Sequence, residues 1–148
     1  MKINILSIGK FKLNQPHRSI FDYYKKRISV NTDLIELKLF SKEKKKKLEK
    51  DEILKHIDKD DCVITLDQFG DSMTSFQFSK TLKSKIDNGY KRLNFIIGGE
   101  EGLDDYFKNS FQTISFGNQT WPHLLVRVML IEQIYRAFEI IKNSQYHK

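Results

Sequence analysis

The chain has 148 residues, 39% hydrophobic and 30% charged, and carries a formal net charge of +7 from 26 basic and 19 acidic residues. A domain of this length buries roughly 68–70% of its unfolded surface, enough for a core without disulfides or a structural metal. Its lone cysteine, Cys62, has no intramolecular partner, no Cys/His set has zinc spacing, and no apolar run reaches about 18 residues, which excludes a disulfide scaffold, a zinc module and a membrane-spanning helix.

Taken in chain order, residues 2–9 carry Ile3, Ile5, Leu6 and Ile8 and end on a glycine, which predicts a strand and a turn. The first ten residues lack the apolar core of a signal peptide, and with the single cysteine this implies a reducing, cytoplasmic setting. Pro16 marks a helix start, followed by Ile20, Phe21, Tyr24 and Ile28 at helical spacing. Residues 32–40 read as a second strand. Residues 41–59 read as a partly exposed helix with loose early turns. Within it, Lys44, Lys45, Lys46 and Lys47 form the densest positive run, either a solvated, mobile face or an arm that grips phosphates. The charge balance leaves the same choice for the whole surface: lysine supplies 21 of the 26 cations, a skew that fits a compositional bias as well as a nucleic-acid partner.

Residues 62–66, 93–97 and 111–116 are apolar and strand-length, and the first two lack polar alternation, which predicts strands of a parallel sheet covered on both faces. Residues 75–87 supply a crossover helix stopped by Asn88-Gly89. A long helix runs from about 123 to 143, apolar on most of its circumference and so buried on more than one side, the second side by another subunit. No linker or repeat interrupts the chain, which reads as one α/β domain over residues 1–148.

Such sheets bind ligands beyond the carboxyl ends of their strands. Three segments qualify: residues 66–70, 98–103 (Gly-Gly-Glu-Glu-Gly-Leu) and 116–123. The middle one matches neither the Walker nor the dinucleotide pattern, and Glu100 and Glu101 repel phosphate, so it reads as a plain tight turn or as a loop for a cationic or neutral ligand.

Gly98-Gly99-Glu100-Glu101-Gly102-Leu103, then Thr120-Trp121-Pro122-His123 and Arg127, then residues 132–137 and the terminal Tyr146-His147-Lys148, occur in the order and on the chain length of one family. The sequence resembles, over essentially its whole length, the RlmH family of bacterial pseudouridine N3-methyltransferases within the SPOUT (α/β-knot) superfamily. The resemblance implies a parallel-type sheet flanked by helices, a C-terminal trefoil knot, and methyl transfer from S-adenosylmethionine to a pseudouridine in helix 69 of 23S rRNA in the ribosome, by a homodimer in which one subunit's tail completes the other's site. Neither a metal nor a membrane is involved.

Carried over residue by residue, the cofactor contacts are Leu66, Gly98, Phe116, Gly117, Asn118, Gln119, Thr120 and Trp121, and the chain departs from the family's usual residues at Gly117, Gln119 and Trp121. The N3 proton must leave, so a base or a positive group favouring the imide anion is needed. The candidates are His123, Arg136, Tyr146 and His147. His123 opens a helix whose dipole disfavours imidazolium, and it reads as proton acceptor or as a capping residue. Arg136 follows Glu132 by one turn, so it forms an ion pair or contacts substrate. The tail reads as frayed, or as a base-stacking grip. Two other functions fit the same residues: a non-catalytic RNA-binding protein, and a SPOUT methyltransferase of another rRNA or tRNA nucleotide.

Overall fold

The computed structural model describes residues 1–41 and 43–148. In chain order the elements are β1 (Lys2–Ile8), α1 (Pro16–Lys25), β2 (Thr32–Leu37), α2 (Lys45–Leu54), β3 (Cys62–Ser72), α3 (Ser75–Asp87), β4 (Arg92–Ile97), α4 (Asp105–Ser110), β5 (Gln112–Ser115) and α5 (His123–Ile141). Every strand pairing is parallel, in the order β2-β1-β4-β3-β5. All carboxyl ends therefore emerge along one edge, the consequence that matters for a binding site.

The parallel sheet is covered on both faces, as the non-alternating strands predict. On one face Ile3, Ile5, Ile64, Leu93, Phe95 and Ile97 pack under α1, α3 and α5. On the other, Leu6, Ile8, Val63 and Ile96 meet Ile53 of α2, Leu103, and Phe107 of α4. The α5 helix packs against both α1 and α3, so much of its apolar circumference is covered within the chain. No helix among the described residues is long and apolar enough to cross a membrane.

Local chemistry sets several boundaries. Pro16 opens α1 where its missing N–H costs nothing. Thr74 and Gln77 form a reciprocal capping box on α3: the Gln77 amide donates to the threonine hydroxyl and the Thr74 amide donates to the glutamine side chain. Four expectations need correction. The second strand stops at Leu37 rather than residue 40. The helix predicted over residues 41–59 is confined to Lys45–Leu54, with Lys42 outside the described residues, and Lys45–Lys47 form its first turn instead of a mobile arm. The third strand does not end at residue 66: Leu66 and Asp71 both pair with Ile114, so the chain bulges outward through residues 67–70 and rejoins β5. Gly70 is required there, because a Cβ would lie 2.7 Å from the Ile114 backbone. Finally, α4 has no counterpart in the sequence reading, and it takes Phe111 as its C-cap, shortening β5.

Arg127 joins the two halves of the fold. It is fully buried on α5, and its Nη2 donates to the carbonyls of Ile8 (2.7 Å) and Gly9 (3.1 Å) at the end of β1. Its Nη1 lies 3.4 Å from Glu36 Oε2 on β2, and the guanidinium stands 4.8 Å over the Phe11 ring. Glu36 also accepts from the Phe11 amide. Replacing Arg127 with Ala strands these acceptors, and we expect a loss of about 3 kcal/mol, read as a lower urea midpoint at unchanged m-value. An unchanged midpoint contradicts this account.

Candidate functional site

The three strand-end segments converge on one cavity of about 390 Å³ at the carboxyl edge of the sheet, within the size range of small-molecule sites. Leu66, Asp67, Gln68 and Phe69 enter from β3, residues 98–103 from the turn after β4, and Phe116, Gly117, Gln119, Thr120, Trp121 and His123 from the segment leading into α5. Every expected cofactor contact lines it except Asn118. That residue's carbonyl instead accepts from Gln68 Nε2 at 3.4 Å.

Hydrogen bonds fix the walls. Gln68 Oε1 accepts from the Thr120 hydroxyl at 2.8 Å, so one side chain on the β3 bulge holds the 116–123 segment at two points. The Ser115 hydroxyl oxygen accepts from the Gly117 amide and lies 3.0 Å from the Gln68 carbonyl. Trp121 Nε1 donates to the Phe116 carbonyl at 3.3 Å, closing the loop on itself. Across the cavity, the turn after β4 folds so tightly that a Cβ on Gly98 would lie 2.8 Å from the Gly102 backbone; only glycine leaves that turn its shape.

The lining combines apolar walls (Leu66, Ile97, Ile114, Phe116, Trp121) with carboxylates at Asp67, Glu100 and Glu101 and cations at Lys46 and Lys108. Lys108 pairs with Asp67 at 3.9 Å. Apolar walls, exposed main chain and carboxylates suit a flat heterocycle bearing positive charge.

His123, the first residue of α5, lines the same cavity. Burial pulls its pKa below the ordinary imidazole value, with the neighbouring Arg127 acting in the same direction. The sequence offered the helix dipole as the argument for a neutral imidazole; solvent exclusion and a buried arginine act in the same direction.

The remaining candidates form a separate cluster. Arg136 Nε and Nη2 donate to Glu132 Oε1 at 2.9 and 2.6 Å, and the Tyr146 hydroxyl donates to the same oxygen at 3.0 Å. Tyr146 stacks edge-on against Tyr135 with ring centroids 4.8 Å apart, and Arg136 lies 4.7 Å over its ring. His147 Nδ1 is 3.2 Å from Arg136 Nη1. The tail is thus folded back on α5 rather than frayed, and Arg136 does make the intrahelical pair. Burial, then contacts with Tyr24 and Glu132, pushes the Tyr146 phenol pKa far up, which leaves it a hydrogen-bond donor. None of these three residues lines the cavity. Glu132 and Gln133 instead border a second cavity of about 550 Å³ with Ile20, Tyr24, Met73 and Phe116.

Sequence reasoning missed Glu49. It is 4% exposed, its Oε1 has no hydrogen-bond partner, and it sits 4.0 Å from the Cβ position of Gly99 behind the glycine turn. Burial raises its pKa. Its place four residues before buried Ile53 was the available signal, since i and i+4 share a helix face.

An α/β protein with a cavity built from strand-end turns is defined by these features. The family profile described as "Predicted SPOUT methyltransferase" matches residues 1–147, and the chain belongs to that family. It is 37% identical to the ribosomal RNA large subunit methyltransferase H of Flavobacterium psychrophilum, with 99% of each chain covered. It is 42% identical to the protein of that name from Mycoplasmopsis synoviae, with all of both chains covered. Among solved structures, one described as a probable methylase family protein from Haemophilus influenzae superposes with a TM-score of 0.57 at 14% identity, covering 99% of this chain and 70% of the other. At that identity the likeness concerns the fold.

The depressed His123 pKa has a thermodynamic consequence. The folded state disfavours the proton, so its contribution to stability is complete above the unfolded value of about 6.5 and is lost as pH falls through the lower folded midpoint. An NMR titration of the His123 ring should give a midpoint below 6.5; a midpoint at or above it contradicts the buried, cation-flanked environment.

Proposed function

We propose that the chain is an S-adenosylmethionine-dependent methyltransferase that modifies N3 of a pseudouridine in helix 69 of large-subunit ribosomal RNA. In this reading it works in the cytoplasm as a homodimer of single-domain subunits. SPOUT methyltransferases use this cofactor, and the observation that carries the reading is the convergence of three strand-end turns on one cavity. The residues fit the group: apolar walls for adenine, main-chain atoms for its polar edge, and Asp67, Glu100 and Glu101 beside a cationic sulfonium and ammonium. The likeness to ribosomal RNA large subunit methyltransferases H supports the substrate class.

Bound in the cavity, S-adenosylmethionine supplies an electrophilic methyl group. The chain's work is then alignment of the acceptor nitrogen and management of its proton. His123, kept neutral by burial, is able to accept the N3 proton. Arg136 supplies a fixed positive charge that favours the imide anion, and Tyr146 donates its hydroxyl to Glu132, which positions that arginine. His147, exposed beside Arg136, contacts the RNA. In this reading the C-terminal trefoil knot is formed among the strand-end loops, two of which Gln68 links by hydrogen bonds.

The separation of the Arg136 cluster from the cavity supports the dimer. Two parts of one site on different patches of a subunit meet when a symmetric partner brings the second patch to the first. The half-exposed Ile20 and Tyr23 on α1, next to the second cavity, are suited to that contact.

Two experiments test the reading. Helix-69 nucleosides from cells lacking the gene should lose N3-methylpseudouridine in mass spectrometry; its persistence removes the assignment and favours a non-catalytic role or another nucleotide. For the dimer, a cavity-blocked G98V chain and a tail-disabled R136A chain should each be inactive alone. Refolded together, they should recover about a quarter of wild-type activity, because half the random dimers carry one intact composite site. No recovery from a mixture that does form heterodimers rejects action across the interface.

A further inference from the structure

Charge at the carboxyl edge of the sheet is unevenly distributed. Asp67, Glu100 and Glu101 face the cavity, whereas Lys44 caps α2 and Lys45, Lys46 and Lys47 make its first turn. Lys46 lines the cavity beside the two glutamates, and Lys45 is near enough to His123 to disfavour its protonation. Lys44, Lys46 and Lys47 are exposed. The ion pairs that α2 does make, Lys50 with Asp104 and Lys55 with Glu52, lie further along; among the described residues the four lysines make none.

This arrangement is unfavourable by itself. Adjacent cations repel, and a helix N-terminus prefers anions. Lys44 also adopts a left-handed backbone (φ 64, ψ 24) with no side-chain cap. Glu43 and Glu49 flank the run in sequence, but among the described residues neither makes an ion pair with these lysines, and burial raises the Glu49 pKa against the opposing pull of Lys45 and Lys46. Local rules broken without an ion pair to offset them are expected at functional sites.

We propose that the lysine turn of α2 is the phosphate-binding lip of the site, across which the RNA backbone lies while its target base enters the cavity. The proposal rests on the methyltransferase reading for the identity of the polyanion, and it extends that reading to a surface of this chain. Glu100 and Glu101 repel the backbone and the lysine turn holds it, with Lys46 at the boundary between cavity and surface, so register is set by opposite charges across one rim. Such contacts position the substrate and carry no base choice.

The test is salt-dependent cosedimentation with large ribosomal subunits from cells lacking the gene, which requires no turnover. Four phosphate contacts contribute about 3 to the slope of log affinity against log salt. Replacing Lys44, Lys45, Lys46 and Lys47 together with Gln should therefore flatten the slope by about 3, so that the wild type loses roughly sixtyfold more affinity than the variant between 50 and 200 mM salt. The four-Arg variant should keep the wild-type slope. Circular dichroism checks that α2 survives, and if the quadruple variant misfolds, K46Q alone should flatten the slope by about 1. An unchanged slope in a folded Gln variant overturns the proposal. Failure of the wild type to bind S-adenosylmethionine in calorimetry sinks the methyltransferase reading separately, and the slope still decides whether this surface holds RNA.

Discussion

The buried guanidinium of Arg127 is the constraint on which the geometry of the cavity depends. Withdrawing a cation from water costs several kcal/mol, and one carboxylate at 3.4 Å does not offset that alone. The rest comes from two carbonyls at the end of β1 and from the face of Phe11. Those carbonyls cannot be reached unless α5 begins where it does, one turn before Arg127, at His123. The start of α5 then dictates where the 116–123 segment must end, and Gln68 dictates where it passes. A single desolvated charge thereby aligns β1, β2 and α5.

Strands were legible because parallel strands covered on both faces are continuously apolar, as residues 62–66 and 93–97 are. The carboxyl-edge loops followed from that topology, and the family motifs identified their residues. What stayed hidden had physical reasons. The β3 bulge looks like a loop locally, and only pairing with distant Ile114 turns it back into a strand. Six-residue α4 is too short to show a period. The first turn of α2 contradicts helix-dipole preferences, so a local reading left the early turns of that helix loose. The tail's order depends on Glu132 and Tyr135, which lie more than ten residues away.

The electrostatics of the site differ from those of the surface around it. The whole chain is strongly basic, yet the cavity lining holds three carboxylates against two lysines, one of them paired with Asp67. A polyanion attracted by the surface gains least at the Glu100–Glu101 side of the cavity, where a small cation is favoured. Screening sharpens the distinction: exposed lysines act within a Debye length of about 8 Å at physiological salt, whereas charges in the cavity feel less solvent. One edge of the sheet can hold two ligands of opposite charge without their competing.

Arg136 shows why an ion pair and a substrate role need not exclude each other. A guanidinium has five N–H donors in a rigid fork. Glu132 Oε1 takes those on Nε and Nη2, and His147 faces Nη1, so one N–H on each terminal nitrogen remains. The glutamate is itself fully engaged: Oε1 also accepts from Tyr146, and Oε2 accepts from Gln133, whose other end accepts from Ser75 on α3. A carboxylate held from three sides cannot follow its arginine. Glu132 therefore orients the guanidinium instead of consuming it, and the unused donors point wherever the packed tail directs them. A flexible arginine would lose rotamer entropy on gripping a phosphate or an imide oxygen; this one has lost it already on folding.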